Sequence, residues 1–209
     1  MRRSLVMVTV LLTGGIGSGK SVVSKILSEK GLPVYDSDSA VHELYRKDYA
    51  LREELAARFG PDVLTPGGID AKALSSRVFS SPEELASLEA LVHPALLRDF
   101  RKWQASLGDC TYSVMESAVA LDKALFEGVF DFVIFVDAPD DLRLERACRR
   151  GGAAASAEAV RRRMEAQPLS ARDHCDAVIL NDSDLETLRH RTEIALNSLY
   201  LRFEQNRTL

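Results

Sequence analysis

Eight consecutive residues carry the clearest chemical signal in the chain: Gly14-Gly15-Ile16-Gly17-Ser18-Gly19-Lys20-Ser21. They satisfy the pattern G-x-x-x-x-G-K-[ST] at every fixed position. Glycines let a backbone turn tightly and bring its N–H groups against an anion. The amides of Gly15, Gly17, Ser18, Gly19, Lys20, Ser21 and Val22, at the start of a following helix, form a cradle for a polyphosphate. The Lys20 ammonium can reach the β- and γ-phosphates, and the Ser21 hydroxyl can ligate the Mg²⁺ that travels with ATP. The competing reading, a glycine-rich turn with a chance lysine, loses to the context. An apolar, valine-rich run (Val6 to Leu12) precedes the loop, and a helical pattern (Val22, Val23, Ile26, Leu27) follows it until Gly31.

A second group of candidates is acidic. Asp36-Ser37-Asp38 closes a short second strand, Leu32 to Tyr35. Two carboxylates two residues apart point to one side if the strand geometry persists. In an open parallel sheet, ligands bind beyond the carboxyl ends of the strands, so this pair and the loop are expected to face one cleft. Asp38 also reads as a helix N-cap, because Val41, Leu44 and Tyr45 begin a helical pattern there. Glu116 ends a third strand (Thr111 to Met115) and faces the same edge. His93, beside Pro94, is more often a packing or hydrogen-bonding residue than a catalyst.

The third group is basic. Pro139 opens a helix after the apolar run Phe132 to Asp137, and that helix carries Arg143, Arg146, Arg149 and Arg150. Arg146 and Arg150 share a face, with Arg143 a near neighbour. A small-residue stretch, Gly151 to Ser156, separates them from Arg161, Arg162 and Arg163. Arginines flanking such a stretch suggest a lid over phosphates. A solvated face balanced by Glu145, Glu158 and Glu165 is the plainer alternative for any one of them.

The remaining elements hold these groups in place. Residues 39 to about 107 read as mostly helical, with turns at Gly60-Pro61 and Pro66-Gly67-Gly68. A well-marked helix start stands at Ser81-Pro82, and Pro94 should kink or restart that helix. Asp176 to Asn181 forms a fifth strand, and a final amphipathic helix runs through Leu185, Leu188, Ile194, Leu196 and Leu199. The helical stretch between strands two and three exceeds a simple crossover and reads as an inserted substrate-binding subdomain.

Composition narrows the classes further. The 209 residues suit one large domain or a core with an insert. A net charge of −4 gives no footprint for nucleic acid. Cys110, Cys148 and Cys175 show neither zinc spacing nor a disulfide framework, as in a reducing cytoplasm. Arg2-Arg3 before an apolar run imitates a secretory leader, but cleavage would remove the first strand. No apolar run approaches the roughly 20 residues that span a bilayer, so no membrane is expected. Nothing fixes the oligomeric state, and a monomer is favoured.

The whole series resembles the dephospho-coenzyme A kinase family over essentially the full chain. The resemblance rests on Leu12-Thr13 with the loop, Asp36-Ser37-Asp38 with His42-Glu43, Leu91-Val92-His93-Pro94, and Arg146 nine residues after Asp137. It implies an α/β fold: a five-stranded parallel sheet of the nucleoside-monophosphate-kinase type, helices on both faces, a helical acceptor-binding insert and a lid. The implied limits are 1–38 and 108–209 for the nucleotide core, 39–107 for the insert and 149–165 for the lid. The implied substrates are ATP, with Mg²⁺, and dephospho-coenzyme A. By the same resemblance Asp38 accepts the hydroxyl proton, Lys20, Arg146 and Arg150 contact phosphate, and Asn181 lies near adenine. His93 and Glu116 belong to the acceptor region. The chain departs from the family's common Pro-Leu-Leu segment, with Glu116-Ser117-Ala118 and Asp122 in its place. Other phosphate-loop kinases (nucleoside, nucleotide or shikimate type) are the alternative. A guanine-specific switch is disfavoured, because Asn181-Asp182-Ser183-Asp184 lacks the lysine of Asn-Lys-x-Asp.

Overall fold

Seven apolar or small residues in a row, Val8–Gly14, form strand β1, and every one is buried. A strand can be apolar on both faces only when both are covered. β1 pairs in parallel with β5 (Tyr112–Glu116) on one side and β6 (Phe132–Asp137) on the other. With β2 (Val34–Asp36) and β7 (Ala177–Leu180) they make a five-stranded parallel sheet in the order β2-β5-β1-β6-β7. The computed structural model describes residues 7–78, 81–151, 156–167 and 170–205. Arg2-Arg3 and residues 152–155 of the expected lid lie outside them.

Helices α1 (Lys20–Glu29) and α8 (Leu185–Gln205) cover one face of the sheet. Val23, Ile26 and Leu27 from α1 and Leu188, Ala195, Leu196 and Leu199 from α8 pack with Val10, Leu12, Ile134, Val136 and Ile179. Leu11, Met115 and Phe135 alternate with these along their strands and are also fully buried. Each such aliphatic side chain contributes about 1.5–3 kcal/mol on burial. Two expected apolar positions differ. Leu185 and Ile194 are each 52% exposed, because the row through Leu188, Thr192, Ala195, Leu196 and Leu199 faces the sheet and leaves them off it. Helices α6 (Asp140–Gly151) and α7 (Ala157–Glu165) complete this unit. No described helix is long and apolar enough to cross a membrane.

The chain divides into two compact units. One holds residues up to Val34 and from Asp109 onward; the other is Tyr35–Gly108. The second contains α2 (Ser37–Lys47), α3 (Tyr49–Phe59), α4 (Ala71–Val78) and α5 (Pro82–Ser106). It is not wholly helical: the turn at Pro66-Gly67 closes a small antiparallel hairpin of β3 (Leu64–Thr65) and β4 (Gly68–Ile69). The expected restart at Pro94 does not occur, and α5 runs through it for 25 residues. A helical proline forfeits a hydrogen bond and costs about 3 kcal/mol. Burial of Val92, Ala95, Leu96, Leu97 and Phe100 around it offsets that cost. The Tyr35 ring lies 5.1 Å from Phe100 and 5.3 Å from Trp103, and its hydroxyl donates to Asp99 at 2.7 Å. Burial, then the Asp99 carboxylate, push this phenol well above its ordinary range.

Candidate active site

The loop between β1 and α1 is built for close approach. Gly17 has φ of +77°, and a Cβ there would sit 2.1 Å from the Arg143 carbonyl oxygen. Gly19, at φ +95°, is the N-cap of α1, and its Cβ would meet the Asn181 side chain at 2.2 Å. No side chain caps α1, and its first turn contains no acid. That leaves a positive helix end with no acidic side chain set against it, the arrangement that binds phosphate. Lys20 Nζ donates to the carbonyls of Gly14 (2.8 Å) and Gly15 (3.2 Å), holding the ammonium over the loop. Ser21 and Val22 follow, both exposed on the first turn of α1.

Four further side chains fix the loop's shape. Asn181, 7% exposed, donates through Nδ2 to the Ser18 carbonyl at 2.8 Å. Arg146 Nη1 donates to the Asn181 carbonyl at 2.9 Å. Arg143, 4% exposed, donates through Nε to the Ile16 carbonyl at 3.1 Å and through Nη1 to Asp140 at 2.8 Å. Gln167 Oε1 accepts from the Ile16 N–H at 2.7 Å. Two buried polar atoms here, Ser18 Oγ and Arg143 Nη2, have no partner among the described residues. A cavity of about 250 Å³ lies beside the loop, lined by Ile16, Ala147, Arg150, Gly151, Val160 and Arg163. A larger one, about 820 Å³, is walled by α6 and α7 and includes Arg143, Arg161 and Gln167.

The sequence candidates therefore separate into groups. Gly15 to Val22, Arg146, Arg150 and Asn181 gather at the loop. Asn181 spends its side chain on the Ser18 carbonyl. Glu116 ends β5 and accepts a hydrogen bond from the buried hydroxyl of Ser24, one turn along α1 from Ser21. Asp38 and His93 lie in the Tyr35–Gly108 unit. The strand does not continue through the acidic pair: β2 stops at Asp36, and α2 begins at Ser37. Asp36, not Asp38, is the N-cap, accepting from the N–H groups of Asp38 (3.0 Å) and Ser39 (3.1 Å). The Asp38 carboxylate, in the first turn, is exposed and makes no hydrogen bond to the described residues. His93 is half-buried in α5.

Of two further residues at the loop, Arg143 stands in the sequence only as a member of the arginine series, and Gln167 is not singled out there at all. Arg143 had a visible signal, because it shares a helical face with Ala147 and Arg150 at spacings of four and seven. Gln167 had none, since its partner Ile16 is 151 residues away. For a metal, no group of three acidic, histidine or cysteine side chains among the described residues could hold an ion alone. Mg²⁺ commonly takes one or two protein ligands and completes its shell with phosphate and water, which the exposed Ser21 hydroxyl suits.

Structural likeness agrees with this geometry. The chain superposes on shikimate kinase from Acinetobacter baumannii with a TM-score of 0.53 at 17% identity, covering 96% of this chain and 96% of that one. A likeness at that identity speaks to the fold alone. Fold and loop together define an α/β phosphate-loop protein. The particular family is clear: the model described as dephospho-CoA kinase matches residues 8–187, and the chain belongs to that family. The dephospho-CoA kinase of Chromobacterium violaceum is 39% identical over 194 residues, 91% of this chain and 93% of its own. That of Porphyromonas gingivalis is 38% identical over 178 residues, 84% and 86% of the two chains. The crystal structure of TT1252 from Thermus thermophilus matches with a TM-score of 0.77 at 32% identity, covering 92% of this chain and 98% of that one.

Proposed function

We propose that the protein transfers the γ-phosphoryl group of ATP to the 3′-hydroxyl of the ribose of dephospho-coenzyme A, giving coenzyme A and ADP. The observation that carries this reading is the uncapped, acid-free start of α1 behind a glycine loop, in a chain of the dephospho-CoA kinase family. Phosphoryl transfer asks little covalent chemistry of a protein; positioning and charge stabilisation do most of the work.

Each residue has a role in those terms. The amides of Gly15, Gly17, Ser18, Gly19, Lys20, Ser21 and Val22 and the Lys20 ammonium hold the ATP phosphates, while the Ile16 N–H is taken by Gln167. Arg146 uses one N–H on the Asn181 carbonyl and turns others to the transferring group, where Arg150 joins it. Asn181 keeps the loop shaped at the nucleotide. Asp38, exposed and unbonded, orients the ribose hydroxyl and takes its proton late. His93 and Glu116 serve acceptor binding. Ser21 would hold Mg²⁺ together with the nucleotide phosphates, and the ion would supply charge neutralisation during transfer. Residues 39–107 receive the acceptor, and 149–165 act as a lid that keeps water from the phosphoryl group.

Free Cys110, Cys148 and Cys175 suit the cytoplasm, and we take the active species to be a monomer. A coupled ADP-release assay across dephospho-coenzyme A, shikimate and nucleosides tests the assignment. Turnover should require dephospho-coenzyme A; equal or faster turnover with another acceptor overturns it.

A further inference from the structure

Gln167 lies two residues beyond Glu165, the last residue of α7. Its side chain joins three stretches of chain. Oε1 accepts from the Ile16 N–H at 2.7 Å, and Nε2 points to the Ala118 carbonyl, two residues past β5, at a long 3.5 Å. The other pole of Ile16 is held as well, since its carbonyl accepts from Arg143 Nε at 3.1 Å. The residue at the tip of the phosphate loop is thus gripped at both backbone ends, from α6 and from the exit of α7. A carboxamide accepts and donates at once without carrying charge. An ionised glutamate would only accept, and a lysine would only donate.

The grip reaches beyond the loop. α7 carries Arg161 and Arg163, and Arg163 shares the 250 Å³ cavity with Ile16 and Arg150. Gln167 fastens the end of that helix to the loop whose amides receive phosphate. We infer that Gln167 is a positioning residue that couples the phosphate loop to α7: nucleotide that orders the loop also orders the helix bearing the arginines. This rests on the reading of the loop as the ATP site and adds a means of communication to it.

Hydrogen exchange on the full chain, with and without Mg²⁺ and a non-hydrolysable ATP analogue, tests the coupling. In the wild type the saturating analogue should protect both 14–21 and 157–165. In Gln167→Met the loop should stay protected at saturation, while the analogue-induced protection of α7 falls by about fivefold or more. That variant should also lose about tenfold in kcat, as expected for one partly buried amide bond, with KM for dephospho-coenzyme A within about twofold, the split that positioning predicts. Gln167→Glu keeps the acceptor and should retain α7 protection within about twofold of the wild type. Wild-type α7 protection in Gln167→Met, or its loss in Gln167→Glu, overturns the inference whether or not the methionine variant folds. A wild-type loop that gains no protection overturns the ATP-site reading itself, and the inference with it.

Discussion

Both units carry helix caps and surface ion pairs, but they differ in what their other polar side chains hold. In the sheet unit, Lys20, Arg143, Asn181 and Gln167 all bond to the main chain of one loop. In the Tyr35–Gly108 unit, Asp36, Asp48, Asp70 and Ser81 bond to N–H groups at helix starts. Its longer charged side chains pair with one another, as in Arg58–Glu84 and Glu43–Lys47. The first arrangement fixes the shape of a segment that has no regular hydrogen bonding of its own. The second ends helices whose stability comes from an apolar core. Damage to the first should abolish binding in a folded protein; damage to the second should lower stability and spare nucleotide binding.

Gly17→Ala presses hardest on this contrast. The new Cβ would meet a backbone carbonyl at 2.1 Å, at a φ of +77° that alanine avoids. ATP affinity by calorimetry should fall at least about 100-fold, equivalent to roughly 3 kcal/mol of strain and lost contacts. Affinity within twofold of the wild type would break the comparison. Phe100→Ala sharpens it from the other side. Phe100 is fully buried against Tyr35 and Trp103. Its truncation should cost about 3–5 kcal/mol in urea unfolding, with ATP affinity of the folded protein within about twofold. A large loss of ATP affinity in that folded variant would show that the loop depends on the helical core.

The same contrast explains what the sequence discloses. The loop is legible because its chemistry is local: glycines, a lysine and a serine at fixed spacing, between an apolar run and a helical one. β1 and β6 are legible because strands buried on both faces must be apolar throughout. Asp36-Ser37-Asp38 is legible as an acidic pair, but its geometry is not. Composition does not say that the chain turns from strand to helix at Ser37, which gives the cap to Asp36. Pro94 marks a break by local rules, but the helix continues through it, with Val92, Ala95, Leu96, Leu97 and Phe100 buried around it. Arg143 reads as one member of an arginine series, and only the fold decides that it is the buried one. Gln167 is invisible in the sequence because it acts on a backbone amide 151 residues away, and hydrogen bonds to backbone demand no partner residue type.

The proposed reaction gives ATP to the phosphate loop and the sugar hydroxyl to Asp38, in the first turn of α2. Asp38→Asn kinetics, read beside ATP binding, test it most directly. The account predicts that kcat falls about 100-fold or more while the Kd for ATP stays within about twofold. Turnover near the wild-type rate would contradict it.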